Sequence, residues 1–101
     1  RDVVHFTHRS GADIVVSAIQ DMYGGFGCLQ LCGTRDSAQL KFRDTFYAFK
    51  AQLLAFVEYL RTGVRPFPFA TTEELIAMVI AGLESREHGG RAVALTEILY
   101  E

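Results

Sequence analysis

Pro66 and Pro68, with Gly63 just before them and Gly89-Gly90 beyond, constrain this chain more than any other feature. Proline has no N–H and disfavours the helical region for the residue preceding it, so Val64 to Ala70 is expected to be extended. A helix arriving from upstream must stop near Gly63, which can take the left-handed conformation of a helix end. After the prolines, Thr71-Thr72-Glu73-Glu74 reads as a capping box, with Thr71 as N-cap and Glu74 reaching back from the third helical position. The helix so started carries Leu75, Ile76, Val79, Ile80 and Leu83 as its predicted buried stripe, with Gly82 at the border, and ends at Gly89-Gly90. Arg91 to Leu95 reads as a short strand that Ile98, Leu99 and Tyr100 extend. Glu73 and Glu74 are not an acid–base pair, because helix neighbours point about 100° apart and the N-terminal dipole already accounts for both. Glu84 and His88 are four residues apart and can pair, and a helix C-terminus suits a histidine.

The helix before Gly63 can be capped by Asp44 or Thr45. Phe46, Phe49, Leu53, Phe56, Val57 and Leu60 fall within about 100° of one another on it. Three phenylalanines on one stripe could line a ligand box, but core packing is the simpler reading. The first forty residues read as strands. Val3 to Arg9 alternates weakly, and Ser10-Gly11 suits a two-residue hairpin turn. Ala12 to Gln20 follows as a second strand, and that turn sets His8 opposite Asp13 and Phe6 opposite Val15. Cys28 to Thr34 is the third strand and 33–37 a turn. Ala38 to Arg43 is the fourth, with Ala38, Leu40 and Phe42 on one face and Gln39, Lys41 and Arg43 on the other.

Few of these residues invite chemistry. Gly24-Gly25 is not expected to cradle a phosphate, since a cradle needs a helix N-terminus after the loop and strands lie on both sides. Cys28 and Cys32 on one strand are about 13 Å apart, too far for a mutual disulfide. They read as reduced apolar residues, and no CxxC or HxxxH spacing suggests a metal. His5 and His8 point to opposite faces of their strand and cannot share an ion. His8 beside Asp13 has the form of an oriented base, though a surface cross-strand pair explains it equally.

The 101 residues fit one domain, large enough for a single core without staples. Half of them are hydrophobic and 22% charged, which is a globular balance. A net charge of −2 argues against a nucleic-acid partner, which calls for a basic stripe. No apolar run approaches the ~20 residues that span a bilayer, so no membrane partner is expected. The chain opens on Arg1 with no signal pattern, which suggests a segment of a longer polypeptide, and the reading of Cys28 and Cys32 as reduced goes with a cytoplasmic location.

Strands followed by two helices and a strand make an α+β pattern. The expected architecture is an open, mostly antiparallel sheet of about five strands, with two helices packed on one face. Ile14-Val15-Val16 is apolar on both sides, so the second sheet face needs a cover, either a second copy or another domain. Phe6, Val15 and Ile19 are the candidates for that oligomer face.

Several motifs extend this reading. Gly33-Thr34-Arg35-Asp36-Ser37 resembles the GT-x-G-S turn of the C-terminal domain in Gfo/Idh/MocA oxidoreductases, with Asp36 where glycine is usual. Phe56 to Gly63 resembles that family's F-x5-T-G helix end. Glu74, Ser85, Gly89 or Gly90, Val93 and Leu95 resemble its closing helix and strand. The resemblance covers about Gly11 to the end. It implies a NAD- or NADP-dependent oxidoreductase of sugars, inositols or related polyols, with a Rossmann domain elsewhere in the polypeptide and association through the α+β domain. It assigns no catalytic, cofactor-binding or metal residue here, because the GxGxxG loop, the EKP lysine and the Asp-x3-His motif of such enzymes are not among these residues. The alternative is a stand-alone α+β dimerisation or small-ligand module without redox activity.

Overall fold

The computed structural model describes residues 2–20, 27–42 and 44–100. The Gly24-Gly25 loop and Arg43 lie outside the described residues. The elements are strands β1 (Asp2–Thr7), β2 (Asp13–Ala18), β3 (Cys28–Cys32) and β4 (Ser37–Lys41), then helices α1 (Thr45–Thr62), α2 (Phe69–Glu87) and α3 (Leu95–Leu99). The α+β class stands, but the single sheet of about five strands does not. The described strands form two separate antiparallel pairs, β1–β2 and β3–β4, and the third helix occupies part of the expected fifth strand. The chain divides into two compact units, Arg1–Thr62 and Gly63–Glu101.

In the first unit, the β1–β2 turn sets a register different from the expected one. His8 N–H donates to Ala12 O at 2.9 Å and Gly11 N–H to His8 O at 2.8 Å. The loop is therefore three residues, Arg9-Ser10-Gly11, and Gly11 takes the positive φ (89°) that such a loop needs at its last position. His8 is exposed beside the loop, where its Nδ1 accepts from Ser10 N–H at 3.1 Å. Thr7, Phe6 and His5 then face Asp13, Ile14 and Val15. One residue of slip exchanges the faces. Phe6 shares its side with Val4, Ile14 and Val16, while Val15 shares the other with His5, Val3 and Ser17.

The β3–β4 hairpin follows its expected turn. Gly33 N–H donates to Asp36 O at 2.9 Å, and the Asp36 carboxylate accepts from Ser37 N–H at 2.8 Å. A Cβ at Gly33 would sit 2.9 Å from Asp36 O, so only glycine closes this turn without a shift. Leu29 faces Leu40 and Leu31 faces Ala38. Cys28, Gln30 and Cys32 face Lys41, Gln39 and Ser37 on the polar side. Helix α1 begins where Asp44 accepts from Phe46 N–H at 2.8 Å and ends before Gly63 at φ 72°, as its cap and stop signals imply.

In the second unit, α2 starts two residues before the expected cap. Pro68 occupies the N-cap position without a side-chain bond, and Thr71 N–H donates to Pro68 O at 3.0 Å. Thr71 and Glu74 therefore do not form the predicted capping box. Proline at a helix start sacrifices only an N–H that has no helical partner anyway, so Phe69 and Ala70 join the first turn. The helix closes at Gly89-Gly90, where Gly90 N–H reaches back to Ser85 O at 2.7 Å.

The buried face of α2 is also not the expected one. Its buried residues are Ala77 and Ala81, at 2% and 5% exposure. Leu75, Ile76, Val79, Ile80 and Leu83 are exposed. At 100° per residue the two alanines lie about 150° around the helix from the centre of that stripe. Helix α3 packs against α2 in this unit, and small side chains let two backbones approach closely. The expected strand at Arg91 to Leu95 is instead an irregular segment, 91–94, that enters α3 through an extended Ala94, and Ile98 and Leu99 belong to that helix.

Candidate functional site

Two features of the described residues bear on function. The first is the apolar surface of the unit Arg1–Thr62. None of its described residues is buried. Val4 and Phe6 are half-buried, while Ile14 and Val16 beside them are exposed. The β3–β4 hairpin shows Leu29, Leu31, Leu40 and Phe42 on one side, each about half exposed. The helical stripe expected as core, Phe46 to Leu60, is exposed throughout, from 46% at Leu53 to 66% at Leu60. Single exposed apolar residues need no explanation, whereas contiguous ones are the usual mark of an interaction site, a ligand groove or an aggregation-prone face.

Of the three candidates for the oligomer face, Phe6 lies on the apolar side of β1–β2. Val15 stands on the opposite side, 64% exposed and across from His5, and Ile19 follows the end of β2. The structure therefore does not bring Phe6 and Val15 together. Val4, Ile14 and Val16 accompany Phe6 instead, and the three-residue turn is what places them there.

The histidine pair is also reassigned. His5 Nε2, not His8, lies 3.0 Å from Asp13 Oδ1, both well exposed. This is a diagonal cross-strand pair of the kind that contributes little in water. No group of three or more metal-ligating side chains occurs among the described residues. Cys28 and Cys32 are free thiols, both exposed. No helix among the described residues is long and apolar enough to cross a membrane.

The second feature is an ion-pair network joining α2 to α3. Glu84 Oε1 lies 3.2 Å from His88 Nδ1, the expected pair, and 3.5 Å from Arg91 Nη2. Both Arg91 Nη atoms donate to Glu97 Oε2 at 3.2 Å. The other Glu97 oxygen accepts from Ala94 N–H at 3.4 Å, and Ser85 Oγ–H donates to Arg91 O at 2.7 Å. Reading 91–95 as a strand hid Arg91 from view. The usable signal was Glu97, three residues after the N-cap Ala94, the position from which a glutamate reaches back to the first free N–H.

Glu97's carboxyl is held below the ordinary carboxylate range, first by the Arg91 hydrogen bond and then by Ala94 N–H. Arg91 is raised in turn, first by its bond to Glu97. A depressed carboxyl stabilises the docked α3 fully above the range of an unfolded glutamate, and that contribution fades as pH falls through Glu97's own lower value. Acidification should therefore loosen residues 95–99, and Glu97→Gln should remove that part of the pH dependence. Amide hydrogen exchange at 95–99 reads this directly. Identical acid profiles in the two proteins would rule the bridge out as the cause.

Comparison with protein families, with characterised proteins and with solved structures returned no match to this chain.

Proposed function

We propose that this chain is an assembly segment of a NAD- or NADP-dependent oxidoreductase acting on sugars, inositols or related polyols. In this reading it supplies association surface rather than catalytic groups, and it works in the cytoplasm with its thiols reduced. The observation that carries the assembly half is the uncovered apolar surface of Arg1–Thr62, with Phe6, Val4, Ile14 and Val16 on one hairpin and Leu29, Leu31, Leu40 and Phe42 on the other. An isolated two-stranded hairpin is marginal in water, and covering the apolar sides of these two would stabilise both. The proposed cover is a second copy of the chain, with the Rossmann domain of the same polypeptide supplying cofactor and proton transfer.

The redox half rests on the turn at 33–37, the helix end Phe56–Gly63 and the closing Glu74, Ser85, Val93 and Leu95, which resemble the Gfo/Idh/MocA pattern. An antiserum against the chain tests it. The native polypeptide is precipitated from a lysate of the source cell, and the precipitate is assayed for NAD- or NADP-linked oxidation of a panel of sugars, polyols and inositols. Activity that co-precipitates, on a polypeptide much larger than 11.3 kDa, is the expected result. A precipitate active on none of them, or a polypeptide of the chain's own mass, would leave a dimerisation module in its place.

A further inference from the structure

The strand β3 reads the same in both directions. Gly27-Cys28-Leu29-Gln30-Leu31-Cys32-Gly33 is a seven-residue palindrome centred on Gln30. One edge of β3 pairs with β4, and among the described residues no strand pairs with the other. The direction of its backbone groups follows from the two ends of the ladder. Gly27 O accepts from Phe42 N–H and Gly33 N–H donates to Asp36 O, so the odd-numbered residues point their polar groups at β4. Alternation along a strand sends those of Cys28, Gln30 and Cys32 to the open edge. That edge is uncharged, has no proline and is exposed along its length. Natural proteins blunt such an edge or use it for pairing.

We propose that β3 pairs antiparallel with β3 of a second copy about a two-fold axis at Gln30. This deepens, and rests on, the self-association proposed above. The palindrome is what singles out a second copy as the occupant. Under a two-fold at Gln30 every residue meets its own kind: Gln30 meets Gln30, Leu29 meets Leu31 and Cys28 meets Cys32 of the second copy. Such an isologous contact closes on itself. It turns two marginal hairpins into one four-stranded sheet ordered β4–β3–β3–β4. Leu29, Leu31, Leu40 and Phe42 of both copies then share one face, which meets the three-strand minimum for an independently stable sheet.

The two cysteines report the register. Within one copy they are about 13 Å apart. Across the proposed axis each has a cysteine of the other copy directly opposite, with Cα atoms about 5.5 Å apart. The test uses a bis-maleimide shorter than the intrachain separation, on the full chain. The wild type should be linked into a species of twice 11.3 kDa. Cys28→Ser alone and Cys32→Ser alone should lose the linkage, because each then sets a lone thiol against a serine. Mixing the two variants should restore it through the single surviving pair. A Gln30→Pro chain, whose missing N–H faces the open edge and not β4, should keep its hairpin and lose the linkage.

Single-cysteine variants that link as readily as the mixture would overturn the register and with it the proposal. A wild type that sediments as a dimer but does not link would overturn the β3 pairing and leave self-association standing. A wild type that sediments as a folded monomer would overturn both.

Discussion

Phe6→Asp should weaken self-association of the chain by about tenfold or more. Removing a buried phenylalanine contact forfeits ~1.5–3 kcal/mol, and about 1.4 kcal/mol is a factor of ten in affinity. Placing a carboxylate in an apolar contact adds a desolvation cost in the same direction. Phe6 is suited to this test because its neighbours on the same side of the hairpin, Val4, Ile14 and Val16, are all apolar. Val15→Asp is the matched comparison. Its side chain stands on the opposite side, across from His5 and near Asp13, where a charge is already tolerated. Ile19→Asp, just beyond β2, should fall between the two. Sedimentation equilibrium over a concentration series measures all three. Equal weakening by Phe6→Asp and Val15→Asp would mean that both sides of β1–β2 are covered. Weakening by Val15→Asp alone would move the interface to the His5 side.

Ala77→Leu should release α3 from α2. Ala77 and Ala81 are the two buried residues of the described chain, one helical turn apart on α2, and α3 is the element that packs against this helix. A close contact built on methyl groups has no space for a leucine, and overpacking of this kind costs ~1–3 kcal/mol. A five-residue helix has almost no stability of its own, so α3 depends on that contact and on the Arg91 bridge. The expected outcome is loss of exchange protection at 95–99, with α2 still helical by circular dichroism. Val79→Phe, at a site 65% exposed, adds at least as much bulk on the far side and should leave protection unchanged. If the two variants protected 95–99 equally, the tight α2–α3 contact would not be what holds α3.

These expectations depend on features that the sequence disclosed unevenly. Helix α1 was legible almost to the residue. Its aromatic stripe has one period, Gly63 marks its end, and of the two cap candidates Asp44 and Thr45 it is Asp44 that accepts from Phe46 N–H. The polar and apolar sides of β4 were legible for the same reason, a clean alternation. The β1–β2 register was not. Arg9-Ser10-Gly11 permits both a two-residue and a three-residue loop, and the choice decides which side Phe6 occupies. The α+β class could be read from the order of periodic segments, but the number of sheets could not. Strand patterns do not say which edges meet.

In the second unit, size misled. The stripe of Leu75, Ile76, Val79, Ile80 and Leu83 was the natural candidate for burial, yet α2 buries Ala77 and Ala81, and the element that packs against it is α3. Around Arg91, apolar residues at 93 and 95 looked like strand alternation. The spacing of Leu95, Ile98 and Leu99 with Glu97 between them fits a capped helical turn better. Of the network there, Glu84–His88 followed from simple spacing. Arg91 to Glu97 spans six residues across two elements, and only the folded chain brings them together.

A second copy of this chain is the proposed cover for the apolar surface of Arg1–Thr62. Sedimentation equilibrium of the wild-type chain decides whether that copy is there. The expected mass rises with concentration to at least twice 11.3 kDa. A chain that stays at 11.3 kDa across the same range, with its helices and hairpins intact by circular dichroism and amide exchange, would contradict it.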